Sequence, residues 1–303
     1  MKKNEKNIRV EMFRVYGDMA PLVKVDYMDK NAEEHSGLFI LDSGSTENIL
    51  TSDILGSIGE LCKKEGESGL VYTINGEYVS VDYVDFSFVF GGNQFREEFG
   101  VNNVQLPQMA GDLQIIGILG QRFMQQHQLV IDFSDFTIHT SEVSPENLSI
   151  EDCEFFTPMV VGLKYYEMPL LYLRQNGKEI LALADTGASN NILASQTIID
   201  NGFDCKMMEE TDTITGLAGG IEMREAMVNF NLLTLKGESV EALSYYDLFK
   251  VAPCNIFTPQ EGMCDEEGEQ LPPVEGIICS PFMAKEGWVL DFGAKIIYKR
   301  KAA

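Results

Sequence analysis

The chain has 303 residues, enough for one large domain or two of about 150 residues. It is 45% hydrophobic and 10% aromatic, the make-up of a folded globular protein. Its net charge of -24 argues against nucleic acid as a partner, because phosphate binding needs clustered Lys and Arg.

No apolar stretch approaches the roughly 18 residues that a membrane span needs. The basic start, Met1 to Asn7, is followed by no apolar core, so no signal peptide is read and a cytoplasmic location is expected. The cysteines show no zinc-type spacing, and the three histidines are far apart in sequence, so no metal or other cofactor is implied. Cys254 and Cys264, which flank one loop, are the only pair with a spacing that suggests a bridge.

In chain order, residues 1–20 alternate loosely and read as edge strand. Pro21 to Tyr27 alternates at period two, as a half-buried strand should. A polar loop, Asp29 to Gly37, leads into the apolar run Leu38 to Leu41. Then comes Asp42-Ser43-Gly44-Ser45-Thr46, and Ser52 reads as the N-cap of a short helix with apolar positions Ile54, Leu55, Ile58, Leu61 and Cys62. Asn75-Gly76 between β-rich flanks signals a tight hairpin. Strands follow at Val81 to Phe90 and Phe95 to Val104. Ile115 to Gly120 runs into a helix, Gln121 to His127, before strands at Val130 to Phe133 and Thr137-Ile138. Ser141 to Pro158, polar and acidic, reads as a linker.

The pattern then restarts. Leu181 to Ala184 leads into Asp185-Thr186-Gly187-Ala188-Ser189, and both copies continue into Asn-Ile-Leu (Asn48 to Leu50, Asn191 to Leu193). Ser195 to Asp200 is a third short helix, stopped by Asn201-Gly202. Thr213 to Gly220 stands where the first half has its Asn75-Gly76 hairpin. Gly117-Ile118-Leu119-Gly120 aligns without gaps to Gly276-Ile277-Ile278-Cys279, and Val130-Ile131-Asp132-Phe133 to Val289-Leu290-Asp291-Phe292. The extra residues of the second half fall in the acidic, Pro- and Gly-rich stretch Pro253 to Glu275. A repeat of this length is not a solenoid unit. It predicts a mainly β fold of two homologous, closed, barrel-like lobes, residues 1–150 and 151–303, related by a pseudo-twofold axis and carrying few short helices.

Equivalent residues of two such lobes can meet at the axis. Two carboxylates a few ångströms apart cannot both ionise, so Asp42 and Asp185 would hold one proton between them. The anionic member could take a proton from a water, and the protonated one could donate to a carbonyl oxygen under attack. Gly44 and Gly187 would let the backbone come close to the pair, and Ser43 and Thr186 could bond across the axis and lock the loops. Ser45 could donate to the Asp42 carboxylate, whereas Ala188 has no hydroxyl for Asp185. Asp42 is therefore the expected ionised member. Cys279, where the first half has Gly120, predicts looser packing behind Asp185.

The paired Asp-Ser/Thr-Gly-Ser/Ala, each with a downstream apolar-apolar-Gly-like segment and an Asp-Phe strand, resembles the aspartic peptidase family, closest to its retropepsin-like branch. Two such units are fused in one chain, as in pepsin-like enzymes. The resemblance covers roughly Pro21 to Ile297 and implies acid-protease lobes. It also implies catalytic roles for Asp42 and Asp185, a peptide or protein substrate, no cofactor and a monomer, since the dyad is complete within one chain. It makes flaps of the hairpins around Asn75-Gly76 and Ala218-Gly219, with Tyr72 or Tyr78 as a flap tyrosine. Two other readings stay open: a bilobal module that binds peptides without cutting them, and an actin- or sugar-kinase-type ATPase, which also carries Asp-x-Gly-x-Ser/Thr twice.

Overall fold

A computed structural model describes residues 7–15, 18–58, 63–72, 78–102, 109–141, 152–159, 168–216, 219–236, 239–253 and 273–301. The fold is mainly β, with two closed six-stranded barrels and four short helices among the described residues. In the first barrel the order is Asp18–Met28, Glu34–Asp42, Leu113–Gly120, Ile49–Thr51, Asn93–Asn102 and Tyr78–Phe90, closed where Asp26 meets Val89. In the second it is Leu170–Gln175, Lys178–Asp185, Val274–Cys279, Asn191–Ala194, Ser239–Ala252 and Gly219–Lys236, closed where Leu173 meets Leu232. The two orders correspond strand for strand, so the duplication legible in the sequence is a duplication of topology.

One arrangement places each aspartate. The strand ending in Asp42 runs parallel to Leu113–Gly120, and Ile49–Thr51 pairs antiparallel on the far side of that same strand. The second lobe repeats this with Lys178–Asp185, Val274–Cys279 and Asn191–Ala194. Each aspartate strand is buried on both faces, which is why it reads as a continuous apolar run rather than an alternating one. The chain must leave the strand and return beside it, and the Asp-Ser/Thr-Gly loop makes that turn.

A six-stranded sheet joins the lobes, in the order Arg9–Glu11, Thr137–Thr140, Leu129–Asp132, Trp288–Asp291, Ile296–Arg300, Cys153–Pro158. Its central pairing, Ile131 with Leu290, is the symmetric crossing point. Phe133 N donates to Trp288 O at 2.9 Å, and Phe292 N to Leu129 O at 3.0 Å, one on each side of it. Trp288 is fully buried and stacks on Phe155 at 5.3 Å. The main hydrophobic core is continuous through both lobes; on the first side it is filled by Phe39, Phe86, Phe88 and Phe99 in mutual ring contact.

Two expectations are revised. The stretch read as linker ends in the strand Cys153–Pro158, paired with Ile296–Arg300; its inward residues Cys153, Phe155 and Thr157 alternate with outward ones, a period-two signal short enough to be lost among acidic neighbours. The N-terminal edge is two strands, Arg9–Glu11 in the joining sheet and Phe13–Val15 in the first lobe. The helices Gln121–Gln126 and Ser195–Asn201 fall where the sequence puts them, and Gly202 closes the latter in the left-handed conformation at φ 60°. Ser52–Ile58 is the described part of the first expected helix, and Ser280–Glu286 is the second-lobe counterpart of Gln121–Gln126. No helix among the described residues is long and apolar enough to cross a membrane. Cys254 and Cys264 lie outside the described residues; Cys153, Cys205 and Cys279 are free thiols.

Candidate active site

The two Asp-x-Gly loops meet tip to tip. Ser43 N donates to Thr186 Oγ1, and Thr186 N to Ser43 Oγ, both at 2.9 Å. Each hydroxyl then donates onward into the opposite strand: Ser43 Oγ to Ala184 O and Thr186 Oγ1 to Leu41 O, both at 2.6 Å. These four bonds form a closed reciprocal lock, and both side chains are fully buried. The expected pairing of Ser43 with Thr186 is therefore seen, with two links more than the sequence suggested.

The lock sets the carboxyls side by side. Asp42 Oδ1 accepts from Gly44 N at 2.8 Å and Ser45 N at 3.2 Å. Asp185 Oδ1 accepts from Gly187 N at 2.9 Å and Ala188 N at 3.2 Å. The carboxyls are hydrogen-bonded to each other. Both glycines are needed for space: a Cβ on Gly44 would lie 2.4 Å from Asp185 Oδ2, and one on Gly187 would lie 2.4 Å from Asp42 Cγ. Each carboxyl is thus packed against the other lobe's glycine.

Burial pushes both carboxyls above the usual carboxylate range, although backbone N–H groups pull each one back. Asp185 is pushed well above it, because the charge and the hydrogen bond of Asp42 add to its burial. Two like groups in contact hold a proton that each alone would lose.

The asymmetry expected from Ser45 is not built as the sequence suggested. Ser45 Oγ donates to Glu47 O at 2.8 Å, not to Asp42. A short hydroxyl side chain close to a free carbonyl two residues on bonds locally. The two aspartates therefore receive matching sets of backbone donors.

Residues that the sequence reading noted but gave no role stand behind the loops. Asn48 Oδ1 accepts from Gly120 N at 3.0 Å and its Nδ2 donates to Glu98 O at 3.2 Å. Asn191 does the same with Cys279 N at 2.9 Å and Leu248 O at 3.4 Å. Each asparagine ties the segment behind its aspartate to the neighbouring strand. The signal was available: the same Asn follows both motifs at the same spacing.

Looser packing behind Asp185 is not what the structure shows. Cys279 pairs with Asp185 as Gly120 pairs with Asp42. A Cβ on Gly120 would lie 2.4 Å from Glu47 O. In the second lobe the loop gives slightly: Ser280 N reaches Ala188 O at 3.1 Å, against 2.8 Å for Gln121 N to Ser45 O. The thiol is buried in the main core, and burial pushes its pKa up to about 12. It is a packing residue at any ordinary pH.

Both expected hairpins exist. Lys63–Tyr72 pairs with Tyr78–Phe90 out to Tyr72 opposite Tyr78. Cys205–Gly216 pairs with Gly219–Lys236 out to Gly216 opposite Gly219. Asn75, Gly76 and Ala218 lie outside the described residues. Asp132 and Asp291 stand apart from the dyad and hold turns and strand ends. The first accepts from Ser134 N at 2.9 Å and from Arg300 Nη1 at 2.6 Å, the second from Ala294 N at 2.8 Å and Ser141 Oγ at 2.9 Å. A groove of about 280 Å³ lies elsewhere on the first barrel, over Tyr27, Phe86 and Phe88, and no dyad residue lines it.

A scan against protein-family models finds no match, and a search of curated proteins finds none either. The functional reading therefore rests on the geometry of the paired loops.

Proposed function

We propose that this chain is a single-chain aspartic endopeptidase that hydrolyses peptide bonds with a water activated between Asp42 and Asp185. The observation that carries the reading is the contact of the two carboxyls, hydrogen-bonded to each other, raised together, and held by the Ser43–Thr186 lock. A structural aspartate at a turn needs no partner of its own kind, and two buried like groups destabilise a fold that has no use for them.

In this reading the pair carries one proton. The ionised member takes a proton from the attacking water, and the protonated member donates to the scissile carbonyl oxygen. The shared proton is the established device of aspartic peptidases and comes here by resemblance. The substrate is an extended peptide, lying between the lobes and pairing its backbone with the hairpins. The dyad is complete in one chain, so a monomer suffices.

The ATPase reading loses its footing. The four described helices have seven, six, seven and seven residues, and the two aspartates face each other rather than flank a space for a nucleotide. The non-cutting peptide-binding module differs from the peptidase only in turnover. A peptide-library digest of wild type beside Asp42→Asn and Asp185→Asn decides between them. The expected result is cleavage by wild type and none by either folded variant. Cleavage surviving in either variant overturns the dyad; capture of intact peptide by wild type without turnover favours the module.

A further inference from the structure

The two hairpins are alike in topology but are fastened differently at their roots. Strand register fixes which residues correspond. Gly100 pairs with Ile49 and Tyr83 in the first lobe; Lys250 pairs with Ile192 and Glu225 in the second. Ile49 and Ile192 both belong to the repeated Asn-Ile-Leu, so Gly100 answers to Lys250 and Tyr83 to Glu225. Two residues before these, Val81 faces Gly69 and Met223 faces Asp212, so Gly69 answers to Asp212. Three adjacent strands thus carry Gly69, Tyr83 and Gly100 in one lobe, and Asp212, Glu225 and Lys250 in the other.

The chemistry of the two triplets is opposite. The Lys250 side chain is only 4% exposed, and its Nζ donates to Asp212 Oδ2 at 2.9 Å and to Glu225 Oε1. Burial alone would lower the Lys250 pKa, but bonds and charges from Glu225 and Asp212 outweigh it and raise it, so the ammonium is held. One buried charge therefore spans both strands of the hairpin and the strand beneath. That strand is hydrogen-bonded to Asn191–Ala194, directly after the Asp185 loop. In the first lobe the positions of Asp212 and Lys250 are held by Gly69 and Gly100, which carry no charge. A Cβ on Gly69 would lie 2.7 Å from Tyr83 Oη, so the ring lies over bare backbone, and a Cβ on Gly100 would lie 3.1 Å from Val81 Cγ2.

We propose that Lys250 is a positioning residue that clamps the hairpin Cys205–Gly216 and Gly219–Lys236 as a fixed wall of the cleft. The purpose of the clamp rests on the peptidase reading; its measurement does not. Lys250 acts through the wall and touches no reacting atom.

Hydrogen exchange by mass spectrometry tests this on wild type, Lys250→Met, Lys250→Arg and Asp212→Asn, with peptide turnover on the same samples. In wild type, amides of Tyr78–Phe90 are expected to exchange at least about tenfold faster than their register equivalents in Gly219–Lys236. Lys250→Met is expected to speed exchange in the second hairpin by about tenfold, leave the first unchanged, and raise KM several-fold with kcat within about twofold. Lys250→Arg, which keeps the charge and reach, restores both. Equal exchange in the two wild-type hairpins overturns the clamp. So does a Lys250→Met protein whose second hairpin stays within about twofold of wild type, or an Arg variant that behaves like Met. Should Lys250→Met fail to fold, Asp212→Asn, which keeps Glu225, decides: an intermediate rise supports the clamp and no change rejects it. A wild type that turns over no peptide would refute the proposed activity, while the exchange comparison would still decide the clamp.

Discussion

Gly187 lies against the Asp42 carboxyl so closely that a Cβ there would sit 2.6 Å from both carboxylate oxygens. Gly44 stands in the same relation to Asp185. The glycines are therefore part of the dyad's walls, each supplied by the opposite lobe. Gly187→Ala is expected to cost about 1–3 kcal/mol through overpacking and to reduce peptide turnover about a hundredfold by displacing one carboxyl. Gly56→Ala is the control: its Cβ would meet nothing within 4 Å, and in the helix Ser52–Ile58 it should stabilise by about 0.5–1 kcal/mol. Trp288, the sole tryptophan and fully buried, reports both transitions by fluorescence. Equal effects of the two substitutions would contradict the packing argument.

The hydroxyls of Ser43 and Ser45 look alike in the sequence and do unlike work. Ser43→Ala strands a buried Thr186 N–H and a buried Ala184 carbonyl, for an expected loss of about 2–4 kcal/mol. Ser45→Ala removes one local bond to Glu47 O and should cost no more than about 1 kcal/mol. Its pH–turnover profile should match wild type, because the hydroxyl does not touch Asp42. A shifted acid limb in Ser45→Ala would reinstate the hydroxyl as a tuner of the dyad.

This contrast shows where a sequence stops being legible. The duplication, the paired aspartates and the correspondence of Gly117-Ile118-Leu119-Gly120 with Gly276-Ile277-Ile278-Cys279 could be read directly, because repeated spacing reports repeated topology. The barrels followed from dense strand signals. Where Ser45 sends its hydroxyl could not be read, since a local carbonyl and a neighbouring carboxylate compete and only the turn's geometry chooses. The fit of Cys279 was hidden because it depends on a few tenths of an ångström in the facing loop. The Lys250 clamp was hidden because its three residues are far apart in sequence and converge only through strand register.

The dyad should leave a mark on stability as well as on activity. A carboxyl held above its unfolded value contributes stability below the unfolded pKa of about 3.9 and loses it as pH rises through the folded value. Both aspartates are raised by burial, and Asp185 further by the charge of Asp42. Asp185→Asn removes that liability, so its melting temperature should exceed that of wild type near neutral pH. The difference should vanish at about pH 2.5, well below the unfolded pKa, where the wild-type pair is protonated in both states. Thermal melts of both proteins across pH check this; a constant gap at all pH values would mean that the ionised pair does not strain the fold.

Arg300 and Asp132 offer a separate test of how the lobes are joined. Arg300 Nη1 reaches from the end of the second lobe to Asp132 Oδ2 at 2.6 Å, and the Asp132 side chain is only 1% exposed. Ser134 supplies two further donors to the other oxygen. Arg300→Met keeps the length of the side chain but leaves that carboxylate oxygen without its cation, for an expected cost of about 1.5–3 kcal/mol. Denaturant melts followed at Trp288, which lies in the same joining sheet, read the loss where it occurs.

Gln121 and Ser280 open equivalent helices, yet only one is satisfied. Ser280 Oγ donates to Thr186 O at 2.7 Å, whereas Gln121, 2% exposed, buries an Nε2 with no partner among the described residues. An unsatisfied buried amide costs about 1–3 kcal/mol. Gln121→Met fills nearly the same volume without the polar group, so it should raise stability by about 1 kcal/mol and leave the Ser43–Thr186 lock unchanged. Paired denaturant melts and turnover assays measure both. A destabilised Gln121→Met would mean that the amide serves the site, and a stable variant with reduced turnover would place that service at Asp42, whose strand pairs with Gly120 immediately before it.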